Sequence, residues 1–516
     1  MIWFRILLIF VLLGGCSRPD STTTLRVAVP GQPANLDVNR TYDAIAGLML
    51  LQMHEGLTRH DGDLNVMPAM AESWKFSPDF KTITYTIRAD AKWSDGKPIR
   101  AQDFEYSWKR LLSPATAAEY AYFMFDIENA EAFNSGKAKV EDVGVHSIDD
   151  HTLEVKLARA APYFPHITTF IVTHPVREDI VTKFGDAWTL PENIVVSGAF
   201  KPTALQPEYR MTLEPNPYYV LGKPSIKKLE IFMTAEKSTS MNLFIAGDLD
   251  VVVDMLPIAI PAFRDNPAYV NAPKLETRYV AFRVDKAPFD NVKVRQALGH
   301  AIQRTEFPSV LKGGEIPATS WIPPGMFGND KSIGLAYDPD LARKLLAEAG
   351  YPEGKGFPKA TVMFRAGEDW SLIAENLQEQ WRRELGIDVL IEVREQKVFF
   401  QEIDSESPPP AHLARWVADF PDPENFMNLF KANSGNNSLA YNNAEYDALV
   451  DQALVTVDPV ERMEIYRKAQ RILTEQEAAI VPIYVGAQNI LIKKGWAGIK
   501  FNAMGDAHFN DARWAP

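Results

Sequence analysis

Residues 69–108 read AMAESWKFSPDFKTITYTIRADAKWSDGKPIRAQDFEYSW. Here Ile83, Tyr85 and Ile87 alternate with Thr82, Thr84, Thr86 and Arg88, the two-residue period of a strand with one buried face, which predicts a strand over Thr82–Arg88. Past Pro98 the period changes. Phe104, Trp108 and Leu111 recur at helical intervals, which predicts a helix over Ala101–Leu112. A strand over His151–Leu157 and a helix over Glu128–Phe133 extend this mixed segment downstream, and upstream a strand over Leu25–Pro30 precedes a helix over Asp43–Glu55.

Residues 200–285 are strand-rich, with strands at Tyr209–Glu214 and Ile226–Met233 and one helix near Ser238–Ala246. After residue 285 the texture turns to alternating strand and helix. Asp338-Pro339 pairs a capping side chain with a proline suited to the first helical position, Leu341, Leu345 and Ala349 form an apolar stripe, and Gly350 suits the C-terminal cap. Asp458-Pro459-Val460-Glu461 repeats that start, with Glu461 placed to complete a capping box. Between these helices lie a strand over Lys359–Phe364, a helix over Leu372–Leu385 and a strand over Asp388–Val393.

With 516 residues, 46% hydrophobic and 23% charged, the chain is an ordinary globular α/β protein of about two to four domains. Its 54 Lys and Arg against 67 Asp and Glu leave a net charge of −13, which argues against binding nucleic acid or anionic lipid through net charge. One cysteine, Cys16, excludes an intramolecular disulfide and a thiolate metal cluster.

Residues 1–15, MIWFRILLIFVLLGG, place Arg5 before an apolar run from Ile6 to Leu13. A membrane-spanning helix needs about 20 apolar residues, so this run reads as a secretory signal. Leu13-Gly14-Gly15-Cys16 resembles a bacterial lipobox, which implies cleavage before Cys16 and acylation of it. Two or three acyl chains anchor a protein stably where one holds it marginally. Residues 16–24 are then a lipidated tether, and the mature chain sits in the periplasm or at the cell exterior.

Catalytic motifs are missing. There is no G-x-S-x-G elbow and no P-loop, because Gly350…Gly354-Lys355-Gly356 has the wrong spacing. The nine histidines include no His-x-x-x-His or His-x-His pair, and His54-Glu55 lacks a second zinc ligand because position 58 is Thr. Asp419–Glu424, DFPDPE, lacks the glycine and spacing of a calcium loop. An exported chain of this length without a catalytic centre points to a binder needing no metal or cofactor.

The 69–108 stretch resembles the signature of the peptide-type (family 5) solute-binding proteins of ABC importers. The likeness lies in Ala71-Glu72-Ser73-Trp74, Tyr85-Thr86-Ile87-Arg88, Trp93-Ser94-Asp95-Gly96-Lys97-Pro98, Asp103-Phe104 and Tyr106-Ser107-Trp108. Blocks in matching order run from about residue 25 to 495, among them His54-Glu55-Gly56-Leu57, Ser197-Gly198-Ala199-Phe200 and Phe289–Leu298. The resemblance implies a two-lobed, type II periplasmic-binding-protein-like fold of three domains with a hinge. It divides the chain into a discontinuous domain (25–68, 190–280 and 485–516), a domain inserted in it (69–189) and a second lobe (281–484). It further implies a monomer that captures short peptides and hands them to the permease and ATPase subunits of an importer. The same fold with a dipeptide, nickel chelate, haem or sugar as ligand is the neighbouring alternative, and an exported hydrolase the distant one.

A receptor for many peptides draws its affinity from groups that all peptides share, the backbone and the termini. Burying an unpaired α-ammonium is costly, so a carboxylate is expected to meet it. In the oligopeptide-binding members this is an Asp after Trp-x-Ala. Here the motif is Trp416-Val417-Ala418-Asp419, which makes Asp419 the expected anchor and Trp416 the wall of a side-chain pocket. The bland alternatives are a solvated loop acid, like Asp422 and Glu424, and a core tryptophan. By motif position Tyr120 and Tyr484 are also expected to line the cleft. Gln32 stands where many members carry a Glu that assists at the peptide N-terminus. The stretch Asp404–Arg415 departs from the family's cationic pattern, being acidic and proline-rich, and Gln396 replaces an aromatic. Arg415 is left as the nearby cation, either meeting the peptide carboxylate or standing as a surface residue.

Overall fold

The computed structural model describes residues 22–515, except 404 and 406 and the side chains of Glu368 and Lys397. The secretory signal, Cys16 and most of the tether lie outside the described residues, as do Asp404 and Glu406. Among the described residues no helix is long and apolar enough to cross a membrane.

The fold is a two-lobed α/β architecture organised by one large mixed sheet. Its strands run in the order Leu390–Arg394, Thr361–Arg365, Ala411–Val417, Tyr269–Phe282, Ile480–Ile492, Val251–Val252, Thr24–Val29, Lys228–Met233, Arg210–Pro215, Phe200–Gln206. The two long central strands, Tyr269–Phe282 and Ile480–Ile492, belong to both lobes. Tyr269–Pro273 lies opposite Leu491–Ala487, and Thr277–Ala281 lies opposite Val485–Ile480. Between these segments the register shifts, at Pro273, which has no N–H to give to the ladder. On the first-lobe side Leu491 and Ile492 pair with Val252 and Val251, and on the other side Glu276–Phe282 pairs with Ala411–Val417. The pairing of the two long strands is therefore interrupted between 273 and 277 on one and between 485 and 487 on the other.

Each lobe has its own apolar interior. In the first, Leu25, Val27, Tyr85, Trp93, Trp108 and Phe200 share one cluster, so the 69–189 segment packs on the N-terminal strands. That segment holds a four-stranded antiparallel sheet, Ala71–Phe76, Thr82–Ile87, Thr152–Lys156 and Val145–Ser147. In the second lobe one cluster gathers Phe282, Leu298, Trp381 and Tyr484. Another gathers Trp321, Phe426, Phe430, Tyr446 and Tyr466.

The expected elements appear with small shifts at their ends: Ala101–Leu112 is a helix over its whole predicted span, and Asp43 caps Ala44–Met53 by accepting from Ala46 N–H. Asp338 accepts from Leu341 N–H at 3.0 Å, and Asp458 accepts from Val460 and Glu461 N–H at 3.0 and 2.9 Å.

The signature stretch serves the structure. Asp103 accepts from the indole N–H of Trp93 at 3.1 Å and from Arg100 N–H at 2.9 Å, tying the Trp93–Pro98 turn to the helix. Gly96 takes φ +86°, and a Cβ there would stand 3.2 Å from the Tyr218 ring. Trp108 donates to Thr173 O at 2.6 Å and Ser107 to His174 O at 2.8 Å, fixing the helix on the loop behind it.

Candidate functional site

The strand Ala411–Val417 ends at the junction of the lobes and delivers the residues that follow it into the space between them. Ala418 N–H still bonds Leu275 O at 2.8 Å, and Asp419 comes immediately after that last rung. Asn425, one turn further on, organises the corner. Its Oδ1 accepts from the Trp416 indole N–H at 2.9 Å and from Asp419 N–H at 3.0 Å. Its Nδ2 donates to Asp419 Oδ2 at 3.2 Å. Burial pushes the Asp419 carboxyl up to about 6, held back by the Asn425 donation. No cation lies within ion-pair distance of Asp419 among the described residues.

Asp419 and Trp416 line a cavity of about 540 Å³ whose opposite wall comes from the first lobe, with Tyr122, Phe123, Asp126 and Arg159. Asp126 is already engaged, accepting from Arg159 Nε at 2.8 Å and from the Tyr163 hydroxyl at 2.7 Å. The lobes touch through Phe420, whose ring lies parallel to Tyr163 and edge-on to Phe123, with centroids 5.9 Å away in both cases.

Trp416 also borders a smaller cavity of about 160 Å³, with Arg365, Trp370, Phe399, His412 and Arg415. Two guanidiniums stack on Trp370, Arg278 at 4.6 Å and Arg365 at 4.9 Å from the ring centroid. Burial, and then the like charges of Arg415 and Arg278, bring Arg365 down to about 10. Asp369 reaches Arg278 at 3.9 Å, and the buried acid here is Glu276. Burial alone would raise its carboxyl, but Arg278, Lys274 and Arg415 overcome that and hold it at about 2. No carboxylate pairs with Arg365 among the described residues, and the described residues that line this cavity carry an excess of positive charge.

The structure thus brings together Asp419, Trp416 and Arg415. The other three expected residues stand apart. Tyr120 packs behind Tyr122, 5.7 Å between ring centroids, because the turn Ala121–Met124 rotates Tyr122 to the cavity wall. It is close enough that the Asp419 charge adds to burial in pushing its phenol up to about 12. Tyr484 is 2% exposed, in the second-lobe core beneath Arg278 and against Phe307. Gln32 is exposed in the loop after Thr24–Val29 and lines neither cavity. Asp422 and Glu424 are not solvated loop acids, being 5% and 7% exposed. Arg365 and Arg159 carry no signal in the sequence, since elements distant along the chain bring them here, and Glu424, though in the same DFPDPE stretch as Asp419, shows its burial only in the fold.

Residues 65–438 match the model of a protein family described as bacterial extracellular solute-binding proteins, family 5 Middle. The chain is 32% identical over 506 residues to the oligopeptide-binding protein OppA of Bacillus subtilis, covering 95% of this chain and 92% of that protein. Against the periplasmic oligopeptide-binding protein OppA of Salmonella typhimurium the identity is 34% over 466 residues, covering 86% and 84%. Among solved structures, the unliganded open form of the periplasmic murein tripeptide binding protein MppA superposes with a TM-score of 0.84 at 29% identity, covering 96% of this chain and 97% of that one. Haemophilus influenzae OppA in complex with the peptide RPPGFSPFR superposes with a TM-score of 0.76 at 29% identity, covering 96% and 100%.

Proposed function

Because this chain belongs to the family 5 bacterial extracellular solute-binding proteins, we propose that it captures short peptides between its lobes for an ABC importer. The observation that carries this reading is the Asp419 carboxylate, oriented by Asn425, facing an interlobe cavity and lacking a cation of its own among the described residues. A free α-ammonium supplies that cation, and closure then excludes the water that would otherwise solvate both charges.

At the other end of the cargo, the positive excess around Arg365 and Arg415 suits a carboxylate, with Trp416 dividing the two cavities. The ligand bridges residues of both lobes, so it binds the closed form more tightly and shifts the population toward it. The two lobes move as units about the interrupted strand segments at 273–277 and 485–487. The chain itself performs no chemistry, and ATP is hydrolysed by partner subunits. Acylated Cys16 holds the receptor, a monomer, at the membrane surface beside its permease.

Native mass spectrometry of the purified protein tests this reading. A retained mass that fragments as a peptide with a free N-terminus is the expected result. A retained ligand without an amine, or turnover of a peptide library, would overturn it.

A further inference from the structure

The interlobe cavity holds a second acid whose carboxylate no described residue holds by an ion pair or hydrogen bond. Glu424 begins the short helix Glu424–Met427, lines the cavity with Asp419, and is 7% exposed. Its neighbours are accounted for. Arg462 holds Asp422 through two bonds of 2.7 Å, and Arg159 and Tyr163 hold Asp126. For the Glu424 carboxylate there is no ion pair or hydrogen bond among the described residues; its own backbone N–H bonds Asp422 Oδ1.

The groups that face Glu424 are the acids Asp126 and Asp422, the guanidiniums Arg159 and Arg462, and the phenols Tyr163 and Tyr466. Both guanidiniums make their direct bonds to other groups, Arg159 to Asp126 and Tyr163 and Arg462 to Asp422, and act on Glu424 only at longer range. Burial first, and Asp126 next, raise the Glu424 carboxyl to about 8. Asp126, Glu131, Asp419 and Glu424 all line this cavity, against Arg159 as the cation lining it. With no hydrogen bond from the described residues, the Glu424 carboxyl has only the contents of the cavity, water or a ligand, as its remaining partners.

We propose that Glu424 receives a second cationic group of the ligand, so that the preferred cargo carries a free α-ammonium at Asp419 and an amine- or guanidinium-bearing side chain at Glu424. This rests on the peptide reading above and narrows it to basic peptides. A cation brought to Glu424 stabilises its carboxylate, so the carboxyl gives up its proton to the buffer as the ligand enters near neutral pH.

Isothermal titration of tri-alanine and of its single-lysine analogues, at pH 7 in two buffers of different ionisation enthalpy, tests the assignment. Wild type is expected to bind at least one lysine peptide about tenfold more tightly than tri-alanine, with greater proton release. In Glu424→Gln, its fold checked by thermal melting, that ratio falls to within about threefold of one and the extra proton release disappears. A lysine preference absent from wild type, or undiminished in Glu424→Gln, would overturn the inference while leaving peptide capture intact. If no peptide of the set binds wild type, the peptide reading falls and this inference falls with it.

Discussion

Asn425 holds Asp419 from two sides, accepting its backbone N–H at 3.0 Å and donating to its Oδ2 at 3.2 Å. The amide both aims the carboxylate and favours its charged form, while the indole N–H of Trp416 completes the corner from the preceding strand. A fixed negative charge at the end of a strand, with a cavity before it, is the arrangement on which ligand capture turns.

Removing that charge is expected to remove binding. Asp419→Ala should weaken a free-amine peptide by about a hundredfold or more, since a buried ammonium is left unpaired. The melting temperature of the unliganded protein should change little, because no described cation depends on Asp419. Equal affinity of wild type for free and N-acetylated peptide would remove the assignment.

Capture should be lost in acid. With the Asp419 carboxyl at about 6 in the empty cavity, its proton competes with the ammonium below that pH. The ligand amine stays charged throughout, its own pKa being about 8. Affinity for tri-alanine should therefore fall roughly tenfold per pH unit below pH 6. Titration calorimetry at pH 7 and pH 5 reads this directly, and an unchanged affinity contradicts it.

Stability should also decline in acid, for a separate reason. Burial depresses His54, His60 and His508 to about 3, and His174 and His412 to about 4. Unfolded histidine titrates near 6.5, so between these values the unfolded chain binds more protons. Their contribution is fully present above about pH 6.5 and is lost as pH falls toward 3, at roughly 1.4 kcal/mol per pH unit for each histidine. The carboxyls that burial raises, Glu55, Asp103, Asp250, Glu315, Asp419, Glu424 and Asp506, act in the opposite sense and offset part of this loss. A melting temperature that holds steady from pH 7 to pH 4.5 would refute this.

Asp422 and Arg462 form a buried pair, their side chains 7% and 10% exposed, joined by two 2.7 Å bonds. Asp422→Ala strands the guanidinium and should cost about 3–5 kcal/mol. Chemical denaturation measures it; a loss below about 1 kcal/mol would mean that Arg462 finds other partners.

Cys16→Ala should move the protein from the membrane fraction to the soluble one, as expected for an anchor made by acylation rather than by a spanning helix. Persistence of the variant in washed membranes would argue for another attachment.

Local interactions made much of this molecule legible from its sequence. Asp338 and Asp458 cap helices two or three residues away, and the period of Ile83, Tyr85 and Ile87 marks the buried face of a strand. The 69–108 stretch identifies the family because Trp93, Asp103 and Trp108 must keep their spacing to staple a turn, a helix and a loop. Asp419 and Trp416 were readable together because one strand end carries both.

Tertiary packing decided the rest. Tyr122, rather than Tyr120, faces the cavity because one tight turn rotates it there, and Tyr484 and Gln32 stand away from it. Asp422 and Glu424 look alike in DFPDPE, yet the Arg462 side chain reaches the first and not the second. Which buried acid is paired and which is not depends on a partner forty residues away in the chain, and only the folded arrangement of the second lobe brings that partner to Asp422.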